Sequence, residues 1–371
     1  MSFMATRHKY RSQIAEKFRT STGREHVIFT GRGATAIWAA LKAFGFVDQP
    51  VLIPANTCYI VLWAVILSGN YPILVDIDPN TGMISAETLS ACGVERPAAI
   101  IPCHLYGLPA PMQEIIQWAN AHGAKVIEDA AQAMIDPDSN IGSWGDVSVF
   151  SFGDGKIVDV GLRGALLCNE PELATEIKQI LASLPMFDDH IESLEQQWLA
   201  IYWATHQYEE QNPQIAELYP KLFEMYQAIT LYNAPTQSFT SLATRFSEGS
   251  LRSDQEYRLK IASVYHPLID SVFSTLSQNE DQVMWRYPLL VPSEIRDDLF
   301  QHLLGRFYDV TRWYPSLQPM ARALRPDIQQ PSTPYADEFC RQIINLPLND
   351  GADPPQRIIA AITQYRNWKN I

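Results

Sequence analysis

A carboxylate and an amine stand at the ends of two neighbouring apolar runs in this 371-residue sequence. Asp129 closes the run Val126-Ile-Glu-Asp129 and leads into Ala-Ala-Gln132; Lys156 ends Val149-Phe-Ser-Phe-Gly-Asp-Gly-Lys156. Each run has the make-up of a buried strand that delivers polar residues to a sheet edge. A lysine becomes a useful nucleophile when it forms a Schiff base with a carbonyl, and pyridoxal phosphate (PLP) is the commonest cofactor held that way. That cofactor also needs an acid at its pyridine nitrogen, because the protonated ring is the electron sink. Taken singly, Lys156 reads as a surface lysine in a loop and Asp129 as a helix cap. Together, in this order, they point to a cofactor site.

The elements around them follow from periodicity. Apolar runs at Val51–Ile53, Ile73–Val75, Ala98–Cys103, Lys125–Ile127, Val147–Ser151 and Ala165–Cys168 fit buried strands. Between them lie helix candidates at Thr35–Phe44, Thr57–Ser68, Pro111–His122 and Pro171–Ala182. Alternation of this kind predicts an α/β fold with a mainly parallel central sheet and helices on both faces. Ligands then bind beyond the carboxyl ends of the strands, where Asp129 and Ser151 fall. From about Leu184 to Leu242 a polar, Gln/Glu/Tyr-rich stretch keeps helical spacing (Ile191, Leu194, Trp198, Ile201) and reads as an insertion packed on its own domain or on a partner subunit. A helix over Arg252–Phe273 leads into a smaller C-terminal α/β domain, with strands at Trp285–Val291 and Gln342–Leu346 and helices at Ser293–Leu304 and Pro354–Asn367. The predicted division is 1–250, a large domain carrying the helical insertion 184–242, and 251–371, the linking helix and small domain.

A third element joins the site. Phe29-Thr-Gly31-Arg-Gly33-Ala34-Thr35-Ala-Ile-Trp38 is a Gly-rich turn opening a helix, where free N–H groups and the helix dipole make an anion pocket. Thr35 adds a hydroxyl, or serves as a plain N-cap. The turn lacks P-loop spacing and no GxGxxG follows a strand, which counts against nucleotide hydrolysis and dinucleotide binding. The net charge of −13 argues against nucleic acid or an anionic membrane as partner. The five cysteines are scattered, odd in number and in no CxxC pair, so the expectation is reduced thiols in a cytoplasmic protein without a metal site. No signal-peptide core opens the chain, and the most apolar run, Ile60–Leu67, is too short to cross a bilayer.

With these pieces in place the chain resembles the sugar-nucleotide aminotransferases of the DegT/StrS group, which are fold-type I PLP enzymes. The resemblance is carried by Gly33-Ala-Thr35-Ala-Ile, Val75-Asp-Ile-Asp-Pro-Asn-Thr-Gly82, Pro102-Cys-His-Leu-Tyr-Gly-Leu-Pro-Ala-Pro-Met112, Ile127-Glu-Asp-Ala-Ala-Gln-Ala133, Gly142-Ser-Trp-Gly-Asp146 and Phe150-Ser-Phe152. Weaker echoes follow at Arg286-Tyr-Pro288, Arg312-Trp-Tyr-Pro-Ser-Leu317 and Asn345-Leu-Pro347. It implies that Lys156 holds PLP as a Schiff base and shuttles the proton, Asp129 pairs with the pyridinium, and Gln132 bonds the phenolic oxygen. Ser151, Thr35 and the backbone at Gly33 and Ala34 would hold the phosphate, and Cys58 stands where an aromatic ring usually covers the cofactor. His104 and Tyr314 are candidate substrate-side groups, with a core histidine and a packing tyrosine as the ordinary alternatives. The chain departs from the family pattern at Gly153-Asp-Gly155 and Gly161-Leu-Arg-Gly164, and Ala243-Thr-Arg245 is the nearest match to a segment that reaches a neighbouring subunit. Arg163 in the altered loop suggests a grip on a substrate anion, or else pairing with an acid such as Asp159. Lys156 argues against the dehydratase relatives, which carry histidine there. The expected activity is transfer of an amino group from an amino acid, glutamate first, to a keto-sugar, free or nucleotide-linked, by a homodimer. A cyclitol or non-sugar carbonyl substrate, a degenerate PLP-binding regulator and a non-catalytic scaffold are the rivals.

Overall fold

The structure is a computed structural model that describes residues 3–135, 139–208, 213–234, 238–276, 281–351 and 353–371. Seven strands make the central sheet: β1 (His26–Thr30), β2 (Pro50–Pro54), β3 (Tyr71–Val75), β4 (Ala99–Ile100), β5 (Lys125–Asp129), β6 (Val147–Ser151) and β7 (Gly164–Cys168), in the order β1-β7-β6-β5-β4-β2-β3. All neighbours pair in parallel except at β7, which runs antiparallel to both β1 and β6. Helices α1 (Phe3–Thr22), α2 (Gly33–Ala43), α3 (Tyr59–Leu67), α4 (Ala86–Ala91), α5 (Met112–His122) and α6 (Pro171–Ala182) accompany it. Covering both faces is why the strands read as unbroken apolar runs: Val126, Ile127, Val147 and Val149 are all buried. Truncating Ile127 to Ala removes packing worth on the order of 2–5 kcal/mol.

Strand β4 is shorter than the apolar run predicts. Pro102 carries no N–H for the ladder, and beyond it Cys103 meets Asp129 only in an isolated bridge. The Pro102 carbonyl nevertheless accepts from the Asp129 N–H at 2.9 Å, which fixes the end of β5. The loop from β6 to β7 is a closed hairpin. Phe152 N donates to the Arg163 carbonyl and Val160 N to the Phe152 carbonyl, both at 2.9 Å. Inside it the Asp159 carboxylate accepts from Gly155 N at 2.7 Å and Gly161 N at 2.8 Å, so Asp159 ties the loop rather than pairing with Arg163.

Three helices follow: α7 (Asp189–Tyr208), α8 (Tyr219–Thr230) and α9 (Ser238–Arg245). Their aromatic faces are buried within the same chain: Trp63 of α3 meets Trp198 at 5.4 Å, Phe223 at 5.7 Å and Tyr226 at 4.7 Å between centroids. Each such contact contributes about 0.5–1.5 kcal/mol beyond burial. Trp198, Tyr202, Phe223 and Tyr226 are therefore covered without a second subunit. Helix α10 spans Glu248–Tyr265, not Arg252–Phe273: Ser247 caps its start, and a 3-10 turn over His266–Leu268 ends it where Pro267 breaks the hydrogen-bond pattern.

The rest of the chain builds an antiparallel sheet, order β10-β9-β8, from β8 (Ser274–Thr275), β9 (Arg286–Leu290) and β10 (Ile343–Pro347). Helices α11 (Ser293–Leu304), α12 (Gln318–Leu324), α13 (Pro334–Gln342) and α14 (Pro355–Lys369) pack around it. It is stitched to the first sheet by main-chain bonds, Trp285 N to the Tyr106 carbonyl at 2.7 Å and Leu317 N to the Ala55 carbonyl at 2.9 Å. Asp76, just past β3, accepts from Ala336 N at 2.7 Å and Tyr335 N at 3.2 Å in the first turn of α13. Among the described residues no helix is long and apolar enough to cross a membrane.

Candidate active site

Adjacent residues on β5 face opposite sides, and the two acids at its end divide the work accordingly. Glu128 points away from the sheet edge and accepts from Gly142 N (2.6 Å), Trp144 N (2.9 Å), the Ser148 hydroxyl (2.9 Å) and His104 Nε2 (3.0 Å). Burial works against its charge, but the His104 bond and the loop N–H groups hold its pKa below the ordinary value. Arg24 grips the same loop through the Gly142 and Gly145 carbonyls at 3.1 and 2.6 Å. His104 accepts from Ala110 N at Nδ1 (2.9 Å), so its proton sits on Nε2, toward Glu128. Both ring nitrogens are committed, and His104 lies outside the cavity described next.

Asp129 faces a cavity of about 490 Å³ at the carboxyl ends of β5 and β6. Its Oδ1 accepts from Ala131 N at 2.9 Å, and among the described residues its Oδ2 receives only the weak thiol of Cys103 at 3.5 Å. Burial pushes the Asp129 pKa up, against the pull of the Ala131 N–H and the Lys156 charge. Lys156 enters the same cavity from the hairpin, its Nζ 5.0 Å from the centre of the Trp285 ring. Burial lowers the Lys156 pKa; Cys58 and Asp129 oppose the shift and Arg286 adds to it. A lysine depressed in this way carries more free amine at neutral pH, the form that attacks a carbonyl. Trp285 is held in place by its own Nε1–H, which donates to the Gly155 carbonyl at 2.6 Å, and by stacking on Trp313 at 5.7 Å.

The remaining expected residues divide. Gly33, Ala34, Cys58, Gln132, Ser151 and Tyr314 all line the cavity. Gly33 leaves little room: a Cβ there would lie 3.1 Å from the Ser151 Cβ and 3.4 Å from its Oγ, so a larger residue would push the start of α2 and that serine apart by a few tenths of an ångström. Gln132 accepts from Tyr106 N at 2.8 Å and turns its amide toward the Tyr314 hydroxyl at 3.4 Å. Thr35 is fully buried outside the lining and donates its hydroxyl to the Thr230 carbonyl of α8 at 2.9 Å. Arg163 also lies outside. Its guanidinium stacks 3.7 Å over Phe239 and reaches the Ala234 carbonyl, and burial together with Arg11 brings its pKa down to about 9. The altered loop places Gly161 and Leu162, not Arg163, against the cavity.

The DegT/DnrJ/EryC1/StrS aminotransferase family model matches residues 2–191, just over half of the chain. The chain belongs to that family. Among curated relatives of the DegT/DnrJ/EryC1/StrS family, 3-oxo-glucose-6-phosphate:glutamate aminotransferase of Bacillus subtilis is 36% identical over 172 residues, 46% of this chain and 38% of that protein. The dTDP-3-amino-3,4,6-trideoxy-alpha-D-glucose transaminase of Streptomyces venezuelae is 27% identical over 353 residues, 92% of this chain and 83% of that protein. The chain spans about half the length, or less, of the other relatives that match at 35–36% identity. Of solved structures, ntda from Bacillus subtilis with bound cofactor PMP superposes with a TM-score of 0.71 at 23% identity, covering 96% of this chain and 77% of that one; at this identity the likeness concerns the fold.

Several lining residues of this family member escaped the sequence reading. Trp313 sits inside a stretch that carried a weak echo and Trp285 opens the predicted strand Trp285–Val291, so their location was legible but not their role. Arg32 lies between the two glycines of the Gly-rich turn. Glu195, Trp198, Leu199 and Tyr226 come from α7 and α8 and also line the cavity. Nothing local distinguishes them from an ordinary amphipathic face.

Proposed function

We propose that this chain is a PLP-dependent aminotransferase that moves an amino group from an amino acid, glutamate first, to a keto-sugar. The observation that carries the reading is the meeting of Lys156 and Asp129 in one cavity whose floor is the Gly33–Ala34 turn pressed against Ser151. The donor set fits the cofactor. Asp129 is a buried carboxylate with no strong donor at Oδ2, the place for a pyridinium N–H; Gly33 and Ala34 N–H at the start of α2, with the Ser151 hydroxyl, suit a phosphate. When bound, PLP supplies the electron sink that makes a Cα proton removable.

The chain's own residues do the rest. Lys156 Nζ, with its pKa lowered by burial, releases and takes up the proton at the reacting carbon. Asp129 would place a negative charge beside the pyridine nitrogen and raise that nitrogen's pKa by charge attraction. The Gln132 amide, its Nε2 turned toward the Tyr314 hydroxyl at 3.4 Å, would donate to the cofactor's phenolic oxygen. Cys58, Tyr314 and Trp198 exclude water around the reacting atoms, and burial keeps the Cys58 thiol protonated. The name of the Bacillus relative supports glutamate as donor and a keto-sugar as acceptor. A cytoplasmic homodimer belongs to the same proposal; the family resemblance supports the dimer and the five free thiols the compartment.

The test is the absorption spectrum of the purified protein before and after glutamate. A yellow band that glutamate bleaches, and that a keto-sugar restores, is the expected result; a protein that stays colourless with added PLP overturns the reading. Sedimentation velocity at assay concentration tests the dimer, and an active monomer refutes it.

A further inference from the structure

The cavity lining contains two cations, Lys156 and Arg32, and the functional reading uses only the first. Arg32 is fixed from behind. Its Nε donates to the Tyr232 hydroxyl at 2.9 Å and its guanidinium carbon lies 5.4 Å over the Tyr232 ring. The free Nη2 edge pairs with Glu195, which α7 inserts into the same cavity. Both side chains are mostly shielded, 18% and 16% exposed. Beside them the Tyr226 hydroxyl of α8 is buried, lines the cavity and lacks a well-aligned hydrogen-bond partner among the described residues. An arginine with one edge anchored and the other meeting a carboxylate, with a buried hydroxyl turned toward it, is a built receptor for an oxyanion.

We propose that Arg32 and Tyr226 form an oxyanion subsite which Glu195 fills when no substrate is present, and which binds the carboxylate or phosphate of a substrate in exchange for Glu195. The proposal rests on the aminotransferase reading and deepens it by naming the specificity-determining residues. Glu195 prevents an unpaired buried cation in the empty site, where such a charge is costly. Exchange of one anion for another leaves the local charge unchanged, and Tyr232 keeps the guanidinium aimed throughout. A neutral ligand cannot displace Glu195, so the subsite selects substrates that carry an anion. The insertion supplies Glu195, Tyr226 and Tyr232 together, which makes it the part of the chain that sets this preference.

The amino donor's carboxylate and a phosphate on the acceptor share this chemistry, and the experiment separates them. In wild type, R32Q and E195Q holoenzyme, the cofactor spectrum follows each half-reaction alone, with glutamate on one side and phosphorylated or unphosphorylated keto-hexose on the other. R32Q is expected to weaken apparent binding on the order of tenfold to a hundredfold in one half-reaction, as for loss of charge-assisted hydrogen bonds. E195Q is expected to tighten it severalfold in the same half-reaction, a direction that misfolding cannot produce. An effect confined to glutamate identifies the donor carboxylate; one confined to phosphorylated hexose identifies the acceptor phosphate. Calorimetric titration of the purified protein with succinate and with inorganic phosphate reads the subsite without turnover, so it stands even if the aminotransferase reading fails. Binding that R32Q leaves within twofold of wild type, or that E195Q weakens, overturns the proposal.

Discussion

Replacing Glu128 with Gln keeps the size of the side chain and removes the charge that organises the wall behind Asp129. The structure sets the cost. In Glu128 one oxygen accepts from Gly142 N and His104 Nε2, and the other from Trp144 N, Gly145 N and the Ser148 hydroxyl. A glutamine must turn its NH2 toward one of these sets, and every member is a donor. Ser148 can rotate to donate to the Gly142 carbonyl, which it already reaches at 2.7 Å, so the less costly orientation sets NH2 against Trp144 N and Gly145 N. Trp144 N, partly buried, and Gly145 N, buried but at 3.4 Å, then lose a charged acceptor, at about 1.5–3 kcal/mol for the first and less for the second, for a total of about 2–4 kcal/mol at pH 7. The pH dependence has a definite sign. Because the folded pKa of Glu128 lies below its ordinary value, the stabilisation is present above the ordinary carboxyl range and disappears as pH falls through the folded value. Urea unfolding of wild type and E128Q should therefore show a wide gap at pH 7 that narrows below about pH 4. A gap under about 1 kcal/mol at pH 7, or one that stays constant on acidification, would refute the account of Glu128 as the buried acceptor of that loop.

Other expectations follow from the same geometry. Borohydride treatment of the PLP-loaded protein should fix the cofactor to the peptide containing Lys156, and Lys156→Ala should abolish turnover; label on another lysine sinks the assignment. Asp129→Asn should retain PLP while kcat falls on the order of a hundredfold or more, as for loss of a proton-holding group, and a wild-type kcat would remove the ring-tuning role. Arg163→Ala should leave the substrate panel unchanged but lower the urea midpoint, because it deletes a buried stack on Phe239 worth about 2 kcal/mol. A changed substrate preference without a change in stability would return Arg163 to the site.

What could be read from the sequence was what local pattern encodes. β5 and β6 are unbroken apolar runs because helices cover both faces, and the residues at their ends, Asp129 and Ser151, could be assigned to the ligand edge from that alone. The reversal of β7 could not, since a buried strand reads the same in either direction. Thr35 shows a subtler limit: its place at the Gly-rich turn was legible, but the Thr230 carbonyl that takes its hydroxyl comes from α8, far along the chain. Arg163 failed similarly, because Phe239 and the Ala234 carbonyl, which hold it outside the cavity, lie in a separate segment. Pro102 and Pro267 were visible throughout and still shortened β4 and α10 beyond what hydrophobic spacing suggested.

The hairpin that carries Lys156 has a consequence for what places the amine. Most connections from a parallel strand cross over through a helix and entangle many packing contacts. Here the reversed β7 brings the chain straight back, and the bonds between Phe152, Val160 and Arg163 close the base of the loop on main-chain groups alone. The Gly153–Gly161 interior lies outside the sheet's ladder and is held instead by Asp159, by the Trp285 bond to the Gly155 carbonyl and by burial of Ile157 and Val158. The amine's address is therefore set jointly by the sheet that closes the loop's base and by the small domain whose Trp285 grips its tip.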